Sequence, residues 1–425
     1  MVLLHWVKFF FPDFAVGRIT KNLLVGFVLF VTGLLGVLRA SANDTAFPVL
    51  PGLERAVEFW KLVFTHYSIT EIVFHDPLEP MKIYKVVQIP ESSAARQIIE
   101  AERDRISGEN GFSEEENRVR WQRGIRERFA QGLQRSQIYM KQMQRIFAEE
   151  GVPGDLAYLP LVESSFHPGA RSQAGAVGMW QFIRSTGKEF LLINKQIDER
   201  RDPLDSTRAA ARLLKQNYEA LGNWPLAITA YNHGRQGMVR AVAEVESDDL
   251  VEIIHSYESP AFGFASKNFY AEFLAALEVA REREEHFPDL QYRPPLFLEE
   301  IELHRPVSIA ALLKPVGISR QQFLEWNPAL SPRLREVPRG YRVKVPAEKF
   351  AGLREFIHKL LHRSSAKAKR APSQGRSSWV RHRVAKGETL SRIARRYRVS
   401  VGQIQKANSL SGHKITAGDF IRIPR

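Results

Sequence analysis

A single acidic residue, Glu163, ends an apolar segment and precedes a loop of small residues in the stretch VESSFHPGARSQAGAVGMWQF (162–182). Before it, Leu156, Leu159 and Val162 recur at helical spacing, which predicts a short helix. Glu163 then lies near the end of that helix, beside apolar neighbours. Burial and the negative end of the helix dipole both disfavour a charged carboxylate there. The sequence therefore predicts a raised pKa, as a general acid needs at neutral pH; a solvated last-turn glutamate is the alternative.

The loop after the acid has the composition of a sugar-binding surface. It carries Ser172, Met179, Trp180 and Gln181 among several glycines. Glycines let a backbone approach a ligand closely, aromatic rings offer sugars an apolar face, and polar side chains fix orientation. Trp180 is either such a platform or a core residue.

A second candidate loop follows in ITAYNHG (228–234), which places Tyr231 and Asn232 before a glycine. Tyr231 can reach back to the acid as a hydrogen-bond donor, or it is a core tyrosine with a satisfied hydroxyl. His233 is either a bystander or a second proton carrier near neutral pH.

The segment DPLD (202–205) is typical of a helix start. Asp202 serves as N-cap, Pro203 occupies the first turn and Asp205 completes a capping box. Gly222 ends the helix. We interpret both aspartates as structural caps and not as a second catalytic pair. Acidic and histidine residues do not cluster with metal-ligand spacing, so neither a metal nor an organic cofactor is predicted.

The N-terminal segment has the pattern of an export signal. Residues 23–38 are apolar and uncharged, basic residues precede them, and Ala40-Ser41-Ala42 follows. This predicts cleavage after Ala42 or, alternatively, retention as one membrane anchor. Export would place the protein in the periplasm or cell envelope. A cysteine count of zero excludes disulfides, thiolate metal sites and a lipid anchor on an N-terminal cysteine.

The net charge of +14 favours an anionic partner, such as nucleic acid, an anionic membrane surface or an acidic wall polymer. Nucleic acid would suit the charge but not the export signal, so it is not predicted as a partner.

The C-terminal third contains an internal repeat. SIAALLKPVGISRQQFLEWN (308–327) aligns with TLSRIARRYRVSVGQIQKAN (389–408), and VPRGYRVKVP (337–346) aligns with ITAGDFIRIP (415–424). Each copy predicts the order strand, helix, helix, strand. Upstream, the patterns predict a helix over 52–67, two strands over 70–89, and long charged helices over 91–150.

We therefore predict an α+β chain that is mainly helical. The predicted divisions are a signal peptide or anchor (1–42), an N-terminal helical and β-hairpin region (43–142), a catalytic domain (143–290), a first βααβ module (298–348), a basic linker (349–378) and a second βααβ module (379–425).

Three ordered motifs resemble one enzyme family. LAYLPLVESSFHPGARSQAGAVGMWQF, DERRDP and AYNHG are similar to the lytic transglycosylase (SLT) domain of murein transglycosylases, most nearly the membrane-bound D type. HRVAKGETLSRIARRYRVSVGQIQKANSL with GDFIRIP resembles a LysM module. The earlier copy resembles a degenerate LysM that lacks the Gly-Glu-Thr turn.

The resemblance implies a lysozyme-like helical fold and cleavage of the MurNAc-β-1,4-GlcNAc bond of peptidoglycan, with formation of 1,6-anhydroMurNAc. It implies that Glu163 is the catalytic acid. The implied substrate-binding residues are Ser172, Met179, Trp180, Gln181, Tyr231 and Asn232, with the Tyr231 hydroxyl in contact with the acid. The implied glycan-binding residues of the LysM module are Gly387, Glu388, Thr389, Leu390 and Asn408.

The residues suit that chemistry because ordinary glycosidases use two carboxylates, whereas the motifs show one strong candidate. A non-hydrolytic route needs only one, which acts first as acid and then as base. A hydrolytic lysozyme-like muramidase and a non-catalytic peptidoglycan-binding scaffold remain as alternatives.

Overall fold

The computed structural model describes residues 46–90, 95–113, 116, 118–370 and 379–424. The predicted signal segment lies outside the described residues. The predicted mainly helical α+β class is confirmed. Within the described residues, no helix is both long enough and apolar enough to cross a membrane.

The N-terminal part combines helices with a three-stranded antiparallel sheet in the order β2-β1-β3. Its elements are α1 (Glu54–Thr65), β1 (Glu71–His75), β2 (Ile83–Gln88), α2 (Ala95–Glu109), β3 (Arg120–Arg123) and α3 (Arg126–Glu150). The predicted helix and hairpin are confirmed, but β3 was not predicted. It falls in a charged stretch whose pairing with β1 depends on tertiary contacts rather than on local pattern.

Short helices follow, as predicted. They are α4 (Pro160–Ser164), α5 (Arg184–Phe190), α6 (Pro203–Leu221), α7 (Trp224–His233), α8 (Arg235–Val245), α9 (Leu250–Ser256), α10 (Phe264–Arg281) and α11 (Arg283–His286). Two 3₁₀ helices, Gly154–Tyr158 and Glu199–Arg201, precede α4 and α6. The helix α10 is buried along most of its length and contributes many side chains to the core.

One hydrophobic core joins the N-terminal part to these helices. The rings of Phe64 in α1 and Phe129 in α3 stack with centroids 4.6 Å apart, and Phe273 of α10 lies in the same cluster. The predicted boundary at 142/143 falls inside α3, a continuous helix. The N-terminal part and the helices that follow therefore pack together around one shared core.

The first repeat copy has its own core. Its elements are β4 (Leu298–Glu302), β5 (Val307–Ser308), α12 (Ile309–Val316), α13 (Arg320–Trp326), β6 (Glu336–Val337) and β7 (Arg342–Pro346). Strand β4 pairs antiparallel with β7. The helix α14 (Ala347–Arg370) follows without a break and packs Leu353 and Ile357 into this core.

The second copy repeats the arrangement with β8 (Trp379–Arg383), α15 (Leu390–Tyr397), α16 (Val401–Asn408) and β9 (Phe420–Pro424). Strand β8 pairs antiparallel with β9, and a small separate core forms between helices and sheet. The predicted order strand, helix, helix, strand is confirmed.

The predicted basic linker over 349–378 begins within α14, and as a domain division it stays a prediction. The backbone is helical to Arg370, and residues 371–378 lie outside the described part of the chain. The Ala, Lys and Leu content up to that point favours a helix, whereas Pro372 and Gly375 come only after it.

Candidate active site

The acid Glu163 lies in α4, a helix of five residues that ends at Ser164. Its side chain is half-buried: it keeps some exposed surface, while protein atoms surround it on the other sides. Among the described residues it has neither a hydrogen bond nor an ion pair that would compensate for lost hydration. Burial therefore raises the pKa of Glu163 to about 8. The predicted rise is confirmed, and its cause is burial.

Left-handed backbone turns fix the loop on either side of the acid. Ser165, Phe166 and Gln181 adopt φ of 48°, 57° and 48°, values that non-glycine residues seldom take. The hydroxyl of Ser164 donates to the carbonyl oxygen of Met179 at 2.7 Å and so ties α4 to the loop. The acid is thus held by a backbone whose turns are set by tertiary contacts.

Gly178 is required by a close approach. Its φ is +85°, and a Cβ at this position would lie 1.8 Å from the carbonyl oxygen of Arg200. No side chain fits there. The side-chain amide of Gln181 donates to the carbonyl oxygen of Gly178 at 2.7 Å, so this predicted substrate residue also stabilises the turn.

Ser172 closes the glycine-rich loop. Its hydroxyl accepts from the backbone N–H of Ala176 at 3.0 Å, and its own N–H donates to the Ala176 carbonyl at 3.0 Å. The residue is exposed. Its substrate-binding role stays a prediction.

The side chains of Met179 and Trp180 do not line a cleft, which corrects the sequence-based prediction. They are 1% and 0% exposed. The indole N–H of Trp180 donates to the hydroxyl of Thr207 at 2.9 Å, and its ring stacks near Phe147. Trp180 is a core residue because its polar atom has a buried partner and no face is left for a sugar.

The hydroxyl of Tyr231, in α7, donates to the carbonyl oxygen of Trp180 at 2.8 Å. The described residues contain no hydrogen bond between Tyr231 and Glu163, so the implied contact of the Tyr231 hydroxyl with the acid stays a prediction. Burial first, and the negative charge of Glu163 second, raise the pKa of Tyr231 well above its usual value. The two groups are hence close enough to interact electrostatically, with Tyr231 neutral.

Asn232 is exposed, and its side-chain oxygen accepts from the hydroxyl of Ser266 at 2.8 Å. Ser266 lies in the first turn of α10. Asn232 lies in the last turn of α7 and not in a loop as predicted, and the bond joins this turn to α10.

A second carboxyl group near the acid was missed by the sequence analysis. Glu272 lies half-buried on α10, and burial, followed by the charge of Glu163, raises its pKa to about 8, against a lowering by Arg120. The charge of Glu163 thus acts on Glu272, although burial is the main cause of the raised pKa. A glutamate among Ala271, Phe273 and Ala275 was the available signal, since an acid on such an apolar helix is out of place.

The two aspartates have different roles. Asp202 caps α6 by accepting from the N–H groups of Leu204 and Asp205 at 3.0 and 3.1 Å, as predicted. The capping-box role of Asp205 is wrong. Its carboxylate pairs with Lys344 at 2.6 Å and with Arg342, both in β7, because these cations approach from the first repeat copy.

The side chain of His233 packs against neighbouring residues. Its Nδ1 lies 3.2 Å from the carbonyl oxygen of Ala261, and its ring meets Phe262 edge-on with centroids 4.9 Å apart. Burial lowers the pKa of His233, so the ring is neutral at pH 7. These contacts favour the bystander interpretation.

The predicted glycan-binding residues of the second copy each make local contacts. Gly387 has a φ of +81°, Thr389 caps α15, and Leu390 is 1% exposed. The Glu388 carboxylate accepts from the backbone N–H of Ala385 at 2.8 Å. Glycan binding by these residues stays a prediction.

Asn408, also predicted to bind glycan, joins α16 to β9. Its side-chain amide donates to the carbonyl oxygen of Arg422, and its oxygen accepts from the Arg422 N–H, both at 2.6 Å. Within the described ranges, His, Asp and Glu do not gather in a group of three or more that could hold a metal ion.

Comparison with family models gives two matches. Residues 144–253 match the Transglycosylase SLT domain, and residues 382–424 match the LysM domain. The resemblance identified from the sequence motifs is thereby confirmed for both segments. Glu163, Gln181 and Tyr231 lie in the first segment, and Glu388 and Asn408 lie in the second.

Curated relatives agree with these matches. The chain is 28% identical over 295 residues to "Membrane-bound lytic murein transglycosylase D" of Escherichia coli strain K12 and to the protein of the same name in strain O6:H1. Each alignment covers 68% of this chain, and the chain spans 64% of the length of each relative. Among solved structures, the 70 kDa soluble lytic transglycosylase of Escherichia coli aligns with a TM-score of 0.29 and 20% identity, over 36% of this chain and 25% of that chain.

Proposed function

We propose that this protein is a peptidoglycan lytic transglycosylase of the cell envelope. It would cleave the MurNAc-β-1,4-GlcNAc bond and leave a 1,6-anhydroMurNAc end. The observation that carries the proposal is the half-buried, unpaired Glu163, whose pKa of about 8 keeps it protonated at neutral pH inside the segment matched by the SLT model. Two relatives named as lytic murein transglycosylases support the same substrate.

The mechanism uses Glu163 twice. Its carboxyl group first donates a proton to the glycosidic oxygen, and the bond from that oxygen to C1 of MurNAc breaks. The resulting carboxylate then accepts the proton of the C6 hydroxyl on the same sugar while that oxygen bonds to C1. No water is consumed, and Glu163 ends protonated as it began.

The residues around Glu163 would help to position the substrate. Gln181 and Asn232 offer amide groups beside the acid's loop, and Tyr231 fixes the carbonyl of Trp180. Residues 143–290 would be the catalytic domain. The C-terminal LysM module, residues 379–425, would hold the glycan strand and raise its local concentration. Export through the N-terminal segment would deliver the protein to the periplasm, free or membrane-anchored.

The hydrolytic alternative would need Glu272 as its second carboxyl group. A lysozyme-like muramidase needs a second carboxylate to activate water. With a pKa of about 8, however, Glu272 holds its proton at neutral pH and cannot accept one from water. This protonation state favours the anhydro route.

The decisive experiment is mass spectrometry of peptidoglycan digested by the full chain. We expect 1,6-anhydro ends; free reducing ends would establish hydrolysis instead. Glu163→Gln should abolish cleavage in either case. Unchanged cleavage by that variant would overturn the assignment of the acid, and no cleavage by the unaltered protein would favour a binding scaffold.

The pH profile gives a second test. The proton that starts the reaction is present below the folded pKa of Glu163 and lost above it, so kcat/KM should fall as pH rises through about 8. An ordinary glutamate would lose activity above about pH 4 to 5. A profile that declines in that lower range would contradict the raised pKa.

A further inference from the structure

A cavity of about 1170 Å³ opens between the N-terminal sheet and the start of α10. Strand β3 forms one wall through residues 120–122, and the loop 77–80 after β1 forms another. The start of α1 and residues 262–268 close the remaining sides. Its volume exceeds the range of about 300–1,000 Å³ typical of sites for single small molecules. Neither Glu163 nor any of the predicted substrate-binding residues lines this cavity.

The lining of the cavity carries unpaired positive charge. Arg55, Arg120 and Lys267 all line it, and none of their side chains has an ion pair or hydrogen bond with another described residue. The side chains of Arg120 and Lys267 lie over the rings of Phe264 and Phe262 instead. A fourth cation, Arg103, is paired with Asp104 at 2.8 Å, and Glu79 contributes the acid of the lining. Three cations without a salt bridge around one concavity favour an anionic ligand, because carboxylates form charge-assisted hydrogen bonds with such groups.

The cavity also offers apolar surface. Leu78 and Trp121 line it and are 72% and 42% exposed. The guanidinium carbon of Arg120 lies 4.1 Å from the centroid of the Phe264 ring, which holds this cation against an aromatic side chain of the lining. A ligand that fits must therefore combine carboxylates with short apolar groups.

The cavity adjoins the candidate active site through α10. Phe264 and Asn268 line the cavity, while Ser266 between them donates to Asn232 of the candidate site at 2.8 Å. Arg120 also acts electrostatically on Glu272, which in turn senses Glu163. A polymer bound over Glu163 would thus bring its side branches to this wall.

We infer that this cavity binds the anionic peptide branch of the glycan strand that is cut at Glu163. The inference rests on the proposed function. In a peptide-bearing strand GlcNAc is uncharged and the lactyl carboxyl group of MurNAc is held in the amide bond to the peptide, whereas the peptide branches carry free carboxylates and small apolar side chains. Of the two parts of the polymer, only the peptide matches both the unpaired cations and the exposed Leu78 and Trp121.

The test measures binding by the full chain with Glu163→Gln, so that no ligand is cut. Two probes are compared: soluble glycan fragments with their peptides, and the same fragments after enzymatic removal of the peptides and conversion of the freed lactyl carboxylates of MurNAc to uncharged amides. Adding Arg120→Gln should weaken binding of the peptide-bearing fragment about tenfold, the loss expected for one charge-assisted hydrogen bond. Binding of the peptide-free fragment should stay unchanged.

Two further variants separate the site from general charge effects. Lys267 lies on α10, whereas Arg120 lies on β3. Lys267→Gln should reproduce the selective loss of affinity, which would show that the effect of Arg120→Gln does not come from local damage to the sheet. Arg333→Gln is the matched control, since it removes an exposed cation of the first repeat copy. It should change neither affinity.

An equal loss of affinity for both probes would show that the cavity contacts the sugars, and no loss for either would show that it holds neither; both results overturn the inference. Failure of the proposed function would look different, because the unaltered protein would then release no fragments from peptidoglycan whatever the binding data show.

Discussion

The two βααβ copies share their internal construction and differ in what covers their sheets. In both, an asparagine at the end of the second helix clamps the last strand. Asn327 donates to the carbonyl oxygen of Lys344 at 2.8 Å and accepts from its N–H at 2.9 Å, and Asn408 makes the same pair of bonds with Arg422. The strand pairs also have the same register.

The clamped residue itself separates the two copies. Lys344 is 0% exposed, with its Nζ 2.6 Å from Asp205 and 3.0 Å from Asp202. Glu300 on β4 adds a bond to Arg208 of α6 at 2.9 Å. These contacts seal the first copy to the body that carries Glu163.

The aligned face of the second copy is open. Arg422 is exposed and lies 5.0 Å from the centroid of the Trp379 ring, while Arg381 lies 3.9 Å from that of Phe420. The comparison teaches that one fold serves two purposes here. The first copy is a structural part of the body, and the second keeps an exposed cationic and aromatic face.

The largest effect that separates the copies should come from the clamped cation. Lys344→Met leaves Asp202 buried without a cation and removes one of the cations paired with Asp205, so the free energy of unfolding should fall by about 3–5 kcal/mol. The aligned control, Arg422→Met, should change it by less than about 0.5 kcal/mol. Denaturant unfolding of the full chain measures both; equal losses would break the comparison.

The shared clamp should matter in both copies but not equally. Asn327→Ala leaves buried backbone groups of β7 unpaired and should cost about 2–3 kcal/mol. Asn408→Ala should cost about 1 kcal/mol, because water can reach the half-buried groups of β9. Hydrogen exchange of the two strands reports each loss locally. Faster exchange in β7 alone would show that Asn408 is not a structural clamp.

Removal of the second copy should have the smallest effect on the chemistry. A chain that ends at Arg370 keeps the body and the first copy, so turnover of soluble fragments should persist. Binding to insoluble peptidoglycan should weaken about tenfold, since one of two attachments is lost. Sedimentation with purified walls measures the binding. Equal loss of turnover and binding would contradict modular tethering.

Features that depend on local pattern were predictable from the sequence. The repeat was found because Asn327 and Asn408 hold the same position in each copy. Asp202 was identified as a cap because its hydrogen bonds reach only two and three residues ahead. The rise in the pKa of Glu163 followed from apolar neighbours at helical spacing.

Features that depend on distant contacts were not predictable. Asp205 pairs with Lys344, 139 residues farther along the chain, so a local capping pattern gave the wrong partner. Burial of Trp180 is set by Thr207 and Phe147, which no spacing rule connects to it. Glu272 was missed for the same reason, since its neighbour Glu163 lies on a different helix.

The seal at Lys344 also bears on how such a chain can be reassembled by recombination. A fragment carrying residues 298–346 would be inherited usefully only together with a partner that supplies acids at 202 and 205, since either half alone buries unmatched charge. Residues 379–424 form a small core of their own and carry no such obligation. The two copies therefore differ in how they can be exchanged between proteins. The first copy can be transferred only with the body that it contacts, whereas the second can be transferred alone.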